Sequence, residues 1–353
     1  MRFNYRSLPC NVVFHEGALA QLPEEVKKLG SKALVLSTPE QRPIAQCAAA
    51  ALGDLSVGLF DRATMHVPIE VAELARSTAR ELRADVCVAI GGGSTIGLGK
   101  AIALVSEIPI IAVPTTYAGS EMTQIWGITA DGLKKTGKDA RVLPKTVIYD
   151  PILTLTLPST LSGTSGINAL AHCAEALYAQ DANPITSIVA EEGIRALATS
   201  LPAITASPTN IDARSEALYG AWLAGICLGT AGVALHHKLC HTLGGACNLP
   251  HSETHAVVLP HALAYNARAA PDAMRRLARA MGCADVPQAL VDLAKAVGAR
   301  TALKDLDMAE RDIDRVTDLA LENPYWNPEP LTRSGVRVLV HNAYWGLRPG
   351  STN

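Results

Sequence analysis

Charge is scarce in this 353-residue chain: Asp, Glu, Lys and Arg make up 18% of it and the formal net charge is −2. Without a basic surplus there is no electrostatic grip on nucleic acid, and small molecules are the expected partners. Disorder is excluded from the other side, because 48% of the residues are hydrophobic, enough for a sizeable core. Closely paired cysteines are missing too. Cys10, Cys47, Cys87, Cys173, Cys227, Cys240, Cys247 and Cys283 are scattered without a CxxC spacing and mostly within apolar text, which fits free thiols in a reducing compartment. The N-terminal text MRFNYRSLPCNVVFHEGAL lacks an apolar run long enough for a signal peptide, so a cytoplasmic address is expected. ALYGAWLAGICLGTAGVAL, Ala217 to Leu235, carries no charge but has neither a basic flank nor an aromatic belt. It reads as a core helix whose small residues allow close packing, not as a membrane span. Repeats, low-complexity text and flexible linkers are also absent.

What is present falls into two styles of text. In the first half, short β-rich runs alternate with helical patterns. KALVLST (32–38), DVCVAI (85–90), IPIIAV (108–113) and KTVIYD (145–150) read as buried strands. Between them, behind Pro68, helical spacing puts Val71, Leu74, Ala75, Thr78 and Leu82 on one face. That alternation predicts a doubly wound, mostly parallel α/β domain over residues 1–158. After DPILTLTLP the text turns to long Ala/Leu patterns broken by Gly and Pro, predicting an all-α domain over 159–353. A cleft between two such domains is the default ligand site.

IGGGSTIGLGKAIAL leaves the DVCVAI strand and enters a helix. Gly91, Gly92 and Gly93 let backbone approach a phosphate, and Ser94 is placed to cap a helix whose first amides face the anion. The loop is neither a P-loop nor a GxGxxG turn after a first strand. PTTYAGSEMT (114–123), with Thr115 and Thr116, and the MHVP turn around His66 follow other strands, so the three loops together describe a ligand crevice at the carboxyl ends of the strands. Ser37 and Thr95 complete the expected cofactor contacts. Glu40 and Arg42, in PEQR after KALVLST, suit a ribose and a 2′-phosphate respectively.

Five of the ten histidines fall between His236 and His255. His237 and His241 stand four apart on one helix face, and His251 follows Pro250. On another helix His172 stands four residues after Asn168. These five positions are expected to converge. His236, about 100° around the helix from His237, is expected outside the site, and His255 and His261 are expected to be structural.

The GGGS loop, the PTT…GSE…T loop, the DPxLTxxLP boundary, the (D/N)AxxH helix and the H…H…LG…PH segment occur in one order along most of the chain. With them the sequence resembles the iron-containing, group III alcohol dehydrogenases. In that family an aspartate and three histidines hold a metal, and the resemblance maps them to Asn168, His172, His237 and His251. A further histidine beside the nicotinamide maps to His241, and His66 matches a cofactor-contacting position. Two acids of the pattern are missing: the aspartate ligand is Asn168, and the aspartate expected three residues after the loop serine is Gly97. With the shortened PTTYAGSEMT loop, GLGKAIAL and NPYWNP, the chain looks like a branch that reduces a carbon–carbon double bond. The resemblance implies a homodimer, NADH or NADPH as cofactor and a small dianionic enoate as substrate. Loss of the one anionic ligand implies no metal, since a neutral amide is a poor substitute toward a divalent ion. Tyr325 and Asn327 either help close the site or form a structural turn. A metal-dependent alcohol dehydrogenase or aldehyde reductase of the same family is the alternative. A dehydroquinate-synthase-like lyase, which wants a carboxylate at the metal, and a non-catalytic nucleotide sensor stand further off.

Overall fold

The structure is a computed structural model and describes residues 3, 5–8, 10–130, 133–323 and 325–351. Two compact units divide the chain. One is Ser7–Leu157; the other begins at Pro158 and takes in the residues up to Arg6.

The first unit holds strands β1 (Asn11–Phe14), β2 (Ala33–Leu36), β3 (Ser56–Phe60), β4 (Val86–Gly91), β5 (Ile110–Pro114), β6 (Ile125–Ala130), β7 (Leu133–Lys138) and β8 (Thr146–Tyr149). Helices α1 (Leu22–Leu29), α2 (Arg42–Leu52), α3 (Ile69–Glu81) and α4 (Gly93–Ser106) lie between them. Six strands form a parallel sheet in the order β1-β8-β5-β4-β2-β3. Every residue of β2, β4 and β5 is buried, as expected of Val/Ile/Ala-rich strands covered on both faces. β6 and β7 pair antiparallel in a separate ribbon that the sequence reading missed, as it missed β1. Connections from β2 and β4 leave in opposite directions along the sheet, so the crevice at their carboxyl ends is the switch point where such sheets bind ligands.

The face assigned to α3 needs correcting. Its buried stripe is Ala72, Ala75 and Ala79, while Leu74 is 45% exposed and Leu82, lying over Gly58, is 37% exposed. α3 packs closely on α4, and Arg76 donates twice to the Ala101 carbonyl. A methyl-sized stripe fits that approach; a leucine stripe does not.

The second unit is helical: α5 (Ser159–Ala176), α6 (Pro184–Ala206), α7 (Ile211–Thr230), α8 (Leu235–Cys247), α9 (His251–Asn266), α10 (Pro271–Met281), α11 (Val286–Ala296), α12 (Asp312–Leu321) and α13 (Arg333–Trp345). From Ser162 onward α5 is buried on every side. The Ala/Gly run packs as its composition suggests: a Cβ on Gly220 of α7 would lie 3.2 Å from the Gly193 carbonyl oxygen of α6. The run is not one helix, since α7 stops at Thr230 and α8 starts at Leu235 with a 95° bend. Among the described residues no single helix is long and apolar enough to cross a membrane. All eight cysteines are free thiols.

Candidate active site

At the carboxyl edge of the sheet, β4 ends on Gly91 at φ +150°, where a Cβ would stand 2.5 Å from Thr95 Oγ1. A Cβ on Gly92 would meet Thr116 Oγ1 at 2.8 Å, whereas one on Gly93 finds only Ala118 at 3.9 Å. Gly91 and Gly92 are therefore sterically required, and Gly93 is not. The N-cap of α4 is Gly92, with no side-chain cap. Ser94 is already the second helical residue, which corrects the capping role expected of it: the strand leaves the sheet so tightly that the helix starts two residues earlier than a Ser94 cap would allow. The uncapped first amides of α4 are available to an anion.

Around this turn, Ser37 Oγ after β2, Thr95 Oγ1 and Thr115 Oγ1 after β5 are buried with no hydrogen-bond partner. Three orphaned hydroxyls at one switch point are a cradle for a polar ligand. Thr116 is half-buried beside Gly92. His66 is exposed in left-handed backbone (φ 67°) after β3, and its carbonyl accepts from Thr129 Oγ1 at 2.9 Å. The next residue, Val67 (φ 49°), explains one missing acid: a Cβ on Gly97 would lie 2.9 Å from Val67 Cγ2, so the aspartate's space is filled. Arg42 pairs with Asp61 at 3.2 Å, and Glu40 is exposed.

In the helical unit, α5, α8 and α9 bring six histidines together. Ring centroids of His172 and His237 are 5.0 Å apart, those of His237 and His241 6.2 Å, and those of His241 and His251 6.5 Å. Asn168 shares the His172 face of α5 and is 5% exposed. The four histidines picked from the sequence are thus linked by ring contacts, and Asn168 stands one helical turn before His172. His172 and His237 are buried, while His241 and His251 are exposed. Asn168 Oδ1, His172 Nδ1 and His237 Nε2 are buried without a partner. Burial holds His172 well below the usual histidine range, and His237, His251 and His241 push it the same way.

Two histidines set aside in the sequence reading belong to this cluster. His236 Nε2 and His255 Nδ1 share a hydrogen bond of 2.8 Å, and the His255 ring is 4.4 Å from His251 and 5.1 Å from His237. Both are completely buried. The helix period had turned His236 away from His237, but α9 packs on that side of α8. Cys240 Sγ lies 3.8 Å from His236 Nε2, and the three ligand-type atoms fall within 4.8 Å. Two imidazoles on a tetrahedral zinc keep their nitrogens roughly 3.3 Å apart. The 2.8 Å contact is a shared proton, not a gap for an ion. His261, further along α9, is pushed down to about 4 by burial.

Sequence reasoning missed Glu175 altogether. It follows His172 by three residues on α5 and is fully buried. Oε2 accepts from His237 Nδ1 at 2.6 Å and from the Ala234 amide at 2.9 Å; Oε1 accepts from the His236 amide at 2.9 Å. The carboxyl group thus seats the N-terminus of α8 and orients His237 at once. With its Nδ1 proton committed to Glu175, His237 is left with an unpartnered Nε2. The spacing Asn168, His172, Glu175 was a signal on the page, since all three share one helical face.

A metal held by an aspartate and three imidazoles would meet a different donor set here. An amide, Asn168, stands where that pattern has a carboxylate, and Glu175 has both oxygens engaged by N–H groups. The residues present do not reproduce that ligand pattern, because its anionic member is gone.

Asn327 serves structure. Its Oδ1 accepts from the Leu235 amide at 3.3 Å and from Asn266 Nδ2 at 3.1 Å, while its Nδ2 donates to Asn266 Oδ1 and to the Glu329 carbonyl, both at 2.7 Å. Tyr325 is half-buried with Lys238 Nζ 5.8 Å from its ring. Pro324 of that segment lies outside the described residues.

Residues 9–151 match the family model for iron-containing alcohol dehydrogenases, and residues 162–344 match the C-terminal model of the Fe-containing alcohol dehydrogenase family. Maleylacetate reductase of Burkholderia cepacia is 58% identical over 339 residues, 96% of each chain. The enzyme of that name from Sphingobium indicum is 55% identical over 349 residues, 99% of each chain. Among solved structures, maleylacetate reductase from Agrobacterium tumefaciens superposes with a TM-score of 0.96 at 49% identity, covering 99% of this chain and 100% of its own.

Proposed function

The chain belongs to the iron-containing alcohol dehydrogenase family of oxidoreductases, and from that premise we propose that it reduces the carbon–carbon double bond of maleylacetate to 3-oxoadipate with NADH or NADPH and without a metal. One observation carries the reading: among the described residues, the buried cluster of imidazoles and an amide contains no free acid. Asn168 Oδ1, His172 Nδ1 and His237 Nε2 are buried without a partner, and Glu175 is fully engaged. A pocket of imidazoles and an amide favours a dianion, which a carboxylate would repel.

In this reading the nucleotide lies on the Gly91–Gly92 turn, with its phosphates at the α4 N-terminus and Ser37, Thr95, Thr115 and Thr116 around it. The bound nicotinamide supplies the hydride, delivered to the substrate carbon β to the ketone. Electrons of the double bond move toward the ketone oxygen, and the enolate so formed needs donors. His172, His251 and the Asn168 amide supply them, and His237, its Nδ1 proton held by Glu175, stands beside the His172 ring; one such donor is worth roughly 3 to 4 kcal/mol of barrier. His241, exposed where it can exchange protons with water, protonates the α carbon, and the ketone re-forms. The balance is one hydride and one proton added across the double bond.

The test combines activity with metal content. Purified protein is expected to oxidise NADH or NADPH on addition of maleylacetate, to contain far less than one iron or zinc per chain, and to keep its activity in a chelator. Asn168→Asp restores the ligand set, so the variant is expected to take up metal and lose enoate reduction. Stoichiometric metal in the unsubstituted protein, with activity lost to chelator and regained on adding metal back, would move it to the metal-dependent alcohol dehydrogenases.

A further inference from the structure

Lys100 plays no part in the chemistry above, yet it is among the largest fully buried side chains in the molecule. It sits on α4, seven residues beyond Gly93 and so about 10 Å below the helix N-terminus. Its Nζ donates to the carbonyl oxygens of Ser120 (2.7 Å), Ile125 (2.8 Å) and Thr123 (2.9 Å) and to Thr123 Oγ1 (3.0 Å). Three carbonyls and a hydroxyl from one short stretch of chain converge on a single ammonium.

Such convergence is repulsive without a cation at its centre. Local bonds shape the stretch around that ammonium: the Met122 and Thr123 amides donate to the Gly119 and Ser120 carbonyls, Thr123 Oγ1 donates to the Ser120 carbonyl at 3.1 Å and accepts from the Ile125 amide at 3.3 Å, and regular pairing resumes at β6. The neighbouring acid does not form an ion pair with the lysine. Glu121 is completely buried, with Oε1 accepting from Tyr149 OH at 3.0 Å and Oε2 without a partner. Burial pushes the Lys100 ammonium down to about 7, with Glu121 pulling the other way. A buried cation in such a place persists because its hydrogen bonds are complete.

The near end of the same loop is the ligand cradle: Thr115 donates its amide to the Gly91 carbonyl at 3.2 Å, and Thr116 covers Gly92. We propose that Lys100 is a built-in monovalent cation that shapes residues 115–125 and so sets the position of Thr115 and Thr116 over the glycine turn. It is a positioning residue for the nucleotide. The inference rests on the nucleotide reading of that turn and adds to it the group that holds the loop.

The experiment uses Lys100→Ala in the full-length protein, titrated with NADH or NADPH, whichever the parent binds, and followed by hydrogen exchange. Cofactor Kd is expected to rise by roughly tenfold or more, the usual loss on deleting a buried charge-assisted hydrogen-bond donor. The loss should fall on cofactor KM more than on kcat. Exchange should quicken at the amides of 119–125 while the strands keep their protection, and ammonium or potassium ions, filling the emptied cage, should recover part of the affinity. A Kd within about twofold of the parent's in a folded variant overturns the proposal, the change being too small for a charged donor. Weaker binding that neither ion improves also overturns it, because the stem rather than the charge would then hold the loop. If Lys100→Ala does not fold, Thr123→Val removes one acceptor of the four together with the Oγ1 bonds to the Ser120 carbonyl and the Ile125 amide; a Kd rise of at least roughly two- to threefold is expected, and none overturns the proposal. If the unsubstituted protein binds neither cofactor, the nucleotide reading fails, and exchange at 119–125 in the variant still decides whether the ammonium shapes the loop.

Discussion

Glu175 offers the sharpest test of how the histidine cluster is held. Replacing it with alanine strips the acceptor from three buried N–H groups: the amides of Ala234 and His236 and Nδ1 of His237. Each buried donor left unsatisfied costs about 1 to 3 kcal/mol, so the loss is on the order of 3 to 9 kcal/mol before any water enters the cavity. Against a total stability of roughly 5 to 15 kcal/mol, Glu175→Ala should bring the protein close to unfolding. Glu175→Gln is the informative partner. A glutamine oxygen in the Oε2 position keeps the bonds to His237 and Ala234 and presents an NH2 to the His236 amide, so about 1 to 3 kcal/mol should go. If the amide turns over, His237 must accept at Nδ1 and move its own proton to Nε2. Urea denaturation followed by circular dichroism measures the stabilities, and steady-state kinetics the effect on turnover, where a misaligned His237 should lower kcat roughly 10- to 100-fold. An alanine variant within about 1 kcal/mol of the parent, the worth of a single average hydrogen bond, with kcat unchanged, would mean that Glu175 neither seats α8 nor positions His237.

Three further outcomes follow from the same geometry. Gly92→Val should raise cofactor Kd strongly, because its Cβ would meet Thr116 Oγ1 at 2.8 Å, while Gly93→Ala, whose nearest neighbour is 3.9 Å away, should bind nearly normally; equal titrations for the two would remove the turn from the nucleotide site. His241→Ala should lower kcat and kcat/KM together, by roughly 10²- to 10⁴-fold for a lost general acid, whereas His172→Ala should also raise substrate KM; identical kinetic profiles would show the roles to be misassigned. His261, depressed to about 4 by burial, binds a proton in the unfolded chain before it does in the folded one. Its stabilising share is therefore complete above about pH 6.5 and fades as pH falls toward 4, by about 3 kcal/mol in all, so His261→Phe should flatten the acid limb of a stability–pH curve over that window. An unaltered acid limb would show that His261 is not buried as a neutral ring.

Much of the site could be read locally, because a helix or strand period is a property of a few neighbouring residues. Gly91 and Gly92 at the end of an apolar strand, Asn168 four before His172, and His237 four before His241 each announce a shared face or a turn within their own element. The two changes of charge, at Asn168 and Gly97, were also legible without coordinates. Periodicity does not say what the face meets. Ranking side chains by hydrophobicity put Leu74 inside α3, but the close approach of α4 chose Ala72, Ala75 and Ala79. His236 pointed away from His237 on α8 and still joined the cluster, because α9 delivered His255 to that side. Glu175 met His237 across 62 residues and Lys100 met Ile125 across 25. A buried acid or ammonium is tolerable only where the folded backbone gathers enough donors or acceptors around it, and that gathering depends on how distant segments pack. Residue types and faces were thus the sequence's to determine; which faces came together, and which charges were satisfied there, the tertiary structure decided.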